Sequence, residues 1–586
     1  MRDNRAVPER AENAQYDLIV LGAGAAGMTA ALVAAREGAR VLLVEGTGRV
    51  GGTSARSSGT LWIPRDKELA ARYLDALVGD KADRRLRRAF LDAAPAMVDY
   101  LERRAGFAFR PYPHHPDYRQ DVPGAALGGR PLEPPPFDGR ELGDSFETLA
   151  APLPELMLFD GMMVTRGEAA RLVQSWKSPG AALLGLRMAA RYASDRLRFR
   201  RGTRLVLGNA LVARLYKNIL DLKVPVWLSA SVDRLVVDEG AVVGAEISDS
   251  ARRVIVRSRC GVVLAGGGFP ANAAWREKHL PRPVARHTPA YEGCVGGTIQ
   301  LGLDAGGALG KPGEDNALWF PGSIARRSDG TTAVYPHIVL DRAKPGLIAV
   351  NGEGRRFVDE AVSYHEFTRA MYRTRSVPAW LVCDRAFLWK YGLGMVRPLT
   401  LRLGRFLSSG YLERADSVRE LASRISVPPE PLEATVKRSN GFASSGVDED
   451  FGKGANPYDV ANGDPAHRPN PCLGPVSRPP FFAVRVEPVP LGTSLGLITD
   501  EHARVLNAAG NPIDGLYAAG NDMQSVMGGE YPGAGAQLGP GMTFAYLAAL
   551  HALKGVRPER QPADQPSLQG RERGAAAWRF ASRDWR

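Results

Sequence analysis

The apolar positions change their period several times along the 586 residues. Leu18 to Leu21 is an unbroken apolar run, as a strand buried on both faces requires. Gly22, Gly24 and Gly27 follow it, and Met28 to Arg36 then reads as a helix. A second run, Arg40 to Val44, reads as another strand and ends in Glu45. From Asp66 to Arg104, apolar residues recur at helical spacing (Leu69, Tyr73, Leu77; Phe90, Met97, Leu101), which predicts two or more packed helices. Phe107 to Asp138 is rich in proline and glycine around Tyr112, His114, His115, Asp117, Tyr118 and Arg119. Such a segment reads as a loop of the kind that covers a ligand. Residues 165 to 218 interleave arginine with apolar positions and predict amphipathic basic helices.

Val224 to Ile247 alternates into strands, with Val232 opening one of them. Gly261 to Pro270 is an apolar strand that runs into Ala265, Gly266 and Gly267. Residues 313 to 485 alternate strand-like and loop-like pieces, and Asp448 to Pro480 reads as a long loop. Gly515 to Asp522 reads as a strand ending at Gly520, beside Asn521. Gly539 to Thr543 opens a helix that includes Met542 and continues to Leu553. Residues 559 to 586 are charged and read as a loose tail.

Composition narrows this picture without changing it. With 44% hydrophobic and 24% charged residues the chain is of a soluble globular type, and its length calls for more than one core. Leu18 to Ala35 carries no charge, but it is short, broken by glycine and rich in small residues, which argues against a membrane-crossing helix. Cys260, Cys294, Cys383 and Cys472 lie far apart without metal-ligand spacing. The nine histidines form no H-E-x-x-H, so no metal site is expected. Residues 1 to 13 lack the apolar core of a signal peptide, and a reduced cytoplasm is the natural home. The net charge of +13 favours an anionic partner or a membrane surface, while a solvated basic face accounts for it equally well. Without interleaved aromatic and basic residues, nucleic acid is not an expected partner. The basic 165 to 218 segment could attach peripherally to a membrane; packing on its own domain is the favoured reading.

Strand, glycines, helix, strand and acid, in this order, spell a dinucleotide site. Gly22 allows the tight turn, Gly24 lets a pyrophosphate approach, and Gly27 lets helix and strand pack closely. The helix start at Ala25 and Ala26 offers N–H groups to phosphate, and Glu45 is placed to accept from ribose hydroxyls. The loop after it, from Gly46 through Gly51, Gly52, Thr53, Ser54 and Ser58 to Gly59, can lie flat against a planar cofactor and donate to it.

That loop has the form V-E-x-x-x-x-x-G-G-T-S-A-x-S-x-G and resembles the flavoprotein superfamily of fumarate reductases and 3-ketosteroid dehydrogenases. Asn351 to Glu360 is similar to the N-x-x-G-x-R-F-x-x-E motif of its capping domain. Tyr531-Pro-Gly-Ala-Gly535, followed by Leu-Gly-Pro-x-Met-Thr-Phe, closely resembles the 3-ketosteroid 1-dehydrogenases. The resemblance runs over roughly residues 15 to 555 and implies an α/β fold. A Rossmann-like FAD-binding domain would span 14–312 and 486–558, with a helical insertion near 160–220 and an inserted α+β catalytic (capping) domain at 313–485. It implies FAD, held noncovalently because Gly51-Gly52-Thr53 stands where covalent relatives carry histidine. The second nucleotide-contacting strand would bring Ala265, Gly266 and Gly267. Gly520 and Asn521 would meet the ribityl chain, and the helix start at Gly539 and Met542 would face flavin N1 and O2.

The activity so implied is 1(2)-dehydrogenation of a 3-oxosteroid or steroid-like cyclic ketone. The Tyr531 hydroxyl and the Gly535 N–H would stabilise charge developing on the ketone oxygen, worth about 3 kcal/mol per donor in comparable sites. By resemblance Tyr364, four residues after Glu360, would take the α-proton with help from Tyr118, and flavin N5 would take the hydride. Relatives often pair two tyrosines where this chain has Tyr118-Arg119. The arginine with which fumarate reductases grip a carboxylate is absent, which disfavours a dicarboxylate. A fumarate reductase-like oxidoreductase acting on another ketone or unsaturated acid is the alternative. No second nucleotide motif for NAD(P)H is evident, so a quinone or another carrier is the expected electron acceptor.

Overall fold

The computed structural model describes residues 15–554 except 113, 160, 174–177, 250–251 and 339–340; the charged tail expected at 559–586 lies outside them. At its centre is a six-stranded sheet in the order Arg504–Leu506, Pro512–Ala518, Val262–Leu264, Leu18–Leu21, Val41–Val44 and Val226–Trp227. Its strands pair in parallel except at the Arg504–Leu506 edge. Leu18 to Val20 have no exposed surface, as expected of a parallel strand covered on both faces. The helix Ala25–Arg36 returns over the sheet, starting a turn earlier than its apolar spacing predicts. A smaller sheet of Gln15–Tyr16, Arg253–Ser258, Ala241–Ser248 and Ser231–Asp238 flanks the first.

The middle of the chain builds a second large sheet in the order Thr332–Pro336, Ala317–Arg326, Phe481–Thr493, Ala379–Asp384 and Leu347–Val350, antiparallel throughout. Phe481–Thr493 runs without a break through the boundary expected at residue 485. It pairs on both sides within this sheet, so the chain leaves the sheet only after Thr493.

The basic 165–218 stretch divides in two. Arg166–Val173 and Pro179–Arg196 are helices of the surface. Leu207–Asp221 is instead a core helix, with Leu211, Val212, Leu215 and Ile219 without exposed surface. Its arginine, Arg214, lies over the rings of Phe107 and Phe137. Among the described residues no helix is long and apolar enough to cross a membrane.

The turn Asn351–Glu360 is held by one ion cluster. Arg356 donates to both carboxylate oxygens of Glu360 at 2.7 and 2.8 Å and to both of Asp448 at 2.9 and 2.8 Å. Lys453 Nζ lies 3.2 Å from the same glutamate, and the Ala349 N–H donates to it at 3.0 Å. Burial works to raise the Glu360 pKa, but Arg356 and Lys453 outweigh it and hold the carboxyl down at about 2. A carboxylate depressed in this way stabilises the fold above its unfolded pKa and loses that contribution as pH falls towards 2. Replacing Glu360 by Gln leaves Arg356 and Lys453 short of a buried counter-charge. It should cost about 3–5 kcal/mol at pH 7. The deficit should narrow as pH drops below about 4.5, which urea unfolding at several pH values would measure.

Candidate active site

One cavity of about 2300 Å³ runs from the carboxyl ends of the parallel strands to the antiparallel sheet. Single-ligand sites occupy about 300–1000 Å³, so this one has room for a large cofactor and a substrate together. Of the residues expected to hold a dinucleotide, Gly22, Gly24, Ala25, Ala26, Glu45, Gly46, Gly52, Thr53, Ser54 and Ser58 line it. So do Val232, Ala265, Gly266, Gly267, Gly520, Asn521 and Met542.

Gly27, Gly51, Gly59 and Gly539 do not reach the cavity wall. Gly27, Gly59 and Gly539 let main chain approach main chain instead, whereas a Cβ on Gly51 would meet the side chains of Ala55 and Val212 at 3.0 and 3.4 Å. A Cβ on Gly27 would sit 1.8 Å from the Gly22 carbonyl, and one on Gly59, at φ +68°, 2.6 Å from the backbone of Leu207. One on Gly539 would sit 2.5 Å from the Trp62 carbonyl. The Gly51 N–H donates to the Ala23 carbonyl at 2.8 Å, at φ +112°. The helix expected to begin near Gly539 already starts at Leu538.

The glycine floor is braced by side chains. Glu45 accepts from the Ala23 N–H at 2.9 Å and from the Thr47 N–H and hydroxyl at 3.0 and 2.8 Å, which fixes its carboxylate at the mouth of the first turn. Asp522, fully buried, accepts from the N–H groups of Gly266 and Gly268 at 2.7 and 2.8 Å. Burial pushes its pKa up. Sequence reading assigned Asp522 no role; its one signal is an acid at a strand end directly after Asn521. The steep closeness of glycine backbones, the N–H groups at Ala25–Arg36 and the size of the cavity together suit FAD.

At the other end of the cavity three phenols meet. Tyr118, Tyr364 and Tyr531 pack ring against ring, with centroids 5.4, 5.6 and 5.3 Å apart pair by pair. The hydroxyls of Tyr118 and Tyr364 share a hydrogen bond of 3.0 Å. Gln537 Nε2 donates to the Tyr531 hydroxyl at 3.2 Å. All three rings and Gly535 line the cavity. Gly535 sits at φ +93°, where a Cβ would meet the backbone of Thr60 and Trp62 at 2.5 Å. Its carbonyl accepts from Trp62, while its own N–H has no partner among the described residues.

Each tyrosine comes from a different part of the chain. Tyr364 opens the helix Tyr364–Arg373, which Ser363 caps by accepting from the Glu366 N–H at 3.3 Å. Tyr118 is held by its own N–H, which donates to the Pro532 carbonyl at 2.9 Å; the Tyr73 hydroxyl donates to that same carbonyl at 2.8 Å. Arg369, five residues along from Tyr364, donates to Asp315 and Glu530 at 2.8 Å each and to the Gly529 carbonyl at 3.1 Å. Tyr73 was read only as core, and Arg369 was not singled out at all.

Burial pushes Tyr364 well above the ordinary phenol pKa, and the neighbouring Tyr118 and Tyr531 add to the rise. Tyr531 is raised by burial too, although Tyr364 and Gln537 work against it. His365 beside Tyr364 is neutral, its pKa driven well down by burial and then by Arg369.

The FAD binding domain family matches residues 17–538. The 3-oxosteroid 1-dehydrogenase of Mycobacterium tuberculosis is 36% identical over 567 residues, covering 92% of this chain and 98% of its own. The 4-oxocyclohex-2-ene-1-carboxylate 5-dehydrogenase of Sinomonas cyclohexanicum is 34% identical, over 91% and 92% of the two chains. The crystal structure of 3-ketosteroid delta1-dehydrogenase from Sterolibacterium denitrificans, in complex with 1,4-androstadiene-3,17-dione, superposes with a TM-score of 0.86. It is 37% identical and covers 92% of this chain and 99% of that one.

A Gly27→Ala substitution should collapse the first turn, because the new methyl would lie 1.8 Å from the Gly22 carbonyl. We expect the purified variant to carry less than about a tenth of the wild-type flavin, since turn and helix start must both move. The ratio of flavin to protein absorbance reads this directly.

Proposed function

The chain belongs to the FAD binding domain family and, within it, to the 3-oxosteroid 1-dehydrogenases and their cyclic-ketone relatives; from this premise we propose that it introduces the 1(2) double bond into a 3-oxosteroid or a steroid-like cyclic ketone. The observation that carries the reading is the meeting of Tyr118, Tyr364, Tyr531 and the unpartnered Gly535 N–H on one cavity wall.

Loss of a proton next to a ketone places charge on the ketone oxygen. The Tyr531 hydroxyl, oriented by Gln537, and the Gly535 N–H are the donors that receive that oxygen. The Tyr364 phenolate oxygen takes the proton from the adjacent carbon, and the Tyr364 and Tyr118 hydroxyls share a hydrogen bond in which either can be the donor. That contact also gives the proton a way off Tyr364 before the next turnover. Gly22, Gly24, Ala25, Ala26, Glu45 and Thr53 would hold FAD without a covalent link, and it would supply the hydride acceptor for the neighbouring carbon. A quinone or another carrier then serves as the final electron acceptor. The apolar rings around the tyrosines keep water from competing for the phenolate.

The reading is tested by anaerobic addition of 4-androstene-3,17-dione: bleaching of the flavin is expected. Bleaching only by single-ring ketones would move the assignment to the alternative substrates. Tyr364→Phe should abolish reduction with flavin still bound, and full activity in that variant would remove Tyr364 as the base. Because the phenolate is the active form and its pKa is raised, kcat/KM should climb with pH and still be rising near about pH 10.

A second proposal concerns the outer face of the cavity. Phe159, Leu186, Leu197 and Leu401 are 71, 67, 90 and 85% exposed, far beyond what packing explains. Arg397 ties the segment of Leu401 to that of Phe159 through the Met157 carbonyl, and Leu158 and Leu399 line the cavity rim beside them. Apolar side chains among the arginines of Pro179–Arg196 suit a peripheral contact with an anionic bilayer, where a lipophilic ketone also partitions. The enzyme should sediment with anionic vesicles at low salt and release at high salt. A Leu186→Glu, Leu197→Glu double variant should stay in the supernatant.

A further inference from the structure

Behind the cavity wall lies a buried polar knot that the proposed reaction does not use. His337 Nδ1 is 2.5 Å from an Asp341 carboxylate oxygen, and its Nε2 is 2.8 Å from Ser323 Oγ. The Ser323 hydroxyl in turn lies 2.7 Å from that of Tyr411. Serine, histidine and aspartate in this order have the contacts of a hydrolytic triad. Here they cannot serve as one. Ser323 and His337 have no exposed surface and neither lines the cavity, while Tyr411 occupies the other side of the serine oxygen.

Of the knot's four side chains only Asp341 lines the cavity; the others act on it through the backbone they hold. Asp341 accepts from the Gly394 N–H at 3.2 Å, and the Tyr411 hydroxyl accepts from the Met395 N–H at 2.8 Å. These two amides form the tip of a turn closed by Leu393 and Val396, which exchange hydrogen bonds of 2.8 and 3.0 Å. Leu393, Val396, Pro398 and Leu399 of that turn line the cavity. The fit is tight: a Cβ on Gly394 would stand 2.2 Å from the Tyr411 oxygen and 3.1 Å from His337 Cε1.

The knot also reaches the catalytic helix. Next to Asp341, the fully buried Arg342 donates to the carbonyls of His337 and Ile338 at 2.9 and 2.6 Å. It further donates to those of Glu360 and Val362 at 2.8 and 3.1 Å. Val362 directly precedes the cap of the helix that Tyr364 opens. One buried assembly thus holds both the turn at 392–399 and the lead-in to Tyr364. The rings against Tyr364 are those of Phe320, Tyr118 and Tyr531; the turn is not among them. A single ring held at the tyrosines need not touch it, whereas a fused-ring ketone would extend along the wall that Phe320, Tyr335 and Ile338 share with the turn.

We infer that Ser323, His337, Asp341 and Tyr411 are positioning residues that set the turn at 392–399 against Tyr364 and thereby fix how long a ketone the cavity accepts. The inference rests on the cyclic-ketone reading above. Tyr411→Phe and Ser323→Ala remove one hydroxyl each, and Gly394→Ala presses on the knot from the turn. In flavin-loaded enzyme, amide hydrogen exchange over 392–399 should quicken at least tenfold in each variant that retains its flavin. KM for 4-androstene-3,17-dione should rise at least fivefold with kcat within twofold, while both constants for 4-oxocyclohexanecarboxylate stay put. Unchanged exchange, or parallel losses for both ketones, overturns the inference. If wild-type enzyme oxidises neither ketone, the dehydrogenase reading fails and the exchange rates alone decide whether the knot positions the turn.

Discussion

The active site depends on one guanidinium. Arg369 is buried, and it is satisfied because Asp315, Glu366, Glu530 and the Gly529 carbonyl converge on it. It stands on the helix that Tyr364 begins, while Glu530 directly precedes Tyr531. Two phenols from distant parts of the chain are thereby held to a common register. A buried charge left without partners is costly, so the arrangement tolerates little slippage. Lys81, half-exposed, closes the cluster from outside by donating to Glu530 at 2.6 Å.

Around that junction the two sheets divide the labour. The parallel sheet supplies glycine backbone and helix N–H groups, which suit a phosphate-bearing cofactor. The antiparallel sheet supplies rings: Phe320 comes from one of its strands and packs on Tyr364 at 4.1 Å between centroids. Ion clusters brace the corners, Arg356 with Glu360 and Asp448 before Tyr364, and Arg130 with Asp66 and Asp117 before Tyr118. Asp117 also accepts from Trp62 Nε1 at 2.9 Å, tying the Tyr118 loop to the strand beneath Gly535.

What could be read from sequence was local. The strand, the glycines and the helix of the first turn act on one another within a few residues, so spacing alone reveals them. Tyr364 was legible because a short motif places it, and Tyr531 and Gly535 because one turn holds both. Tyr73, Arg369 and Asp522 were not, because each works through a partner far away in the chain: Pro532 for Tyr73, Glu530 for Arg369, Gly266 for Asp522. The helix Leu207–Asp221 was grouped with its basic neighbours because Arg214 and Lys217 mask how completely its other positions are buried. Gly27, Gly51, Gly59 and Gly539 carry the same type of signal as the cavity-lining glycines. Only the fold separates a glycine that admits a ligand from one that admits neighbouring protein atoms.

The cavity is continuous from the first glycine turn to the tyrosines. A cofactor and a second ligand in it would therefore share one undivided space, each forming part of the wall around the other. Filling the glycine end would reshape the space left at the phenols, so occupancy of one end would set the shape of the other.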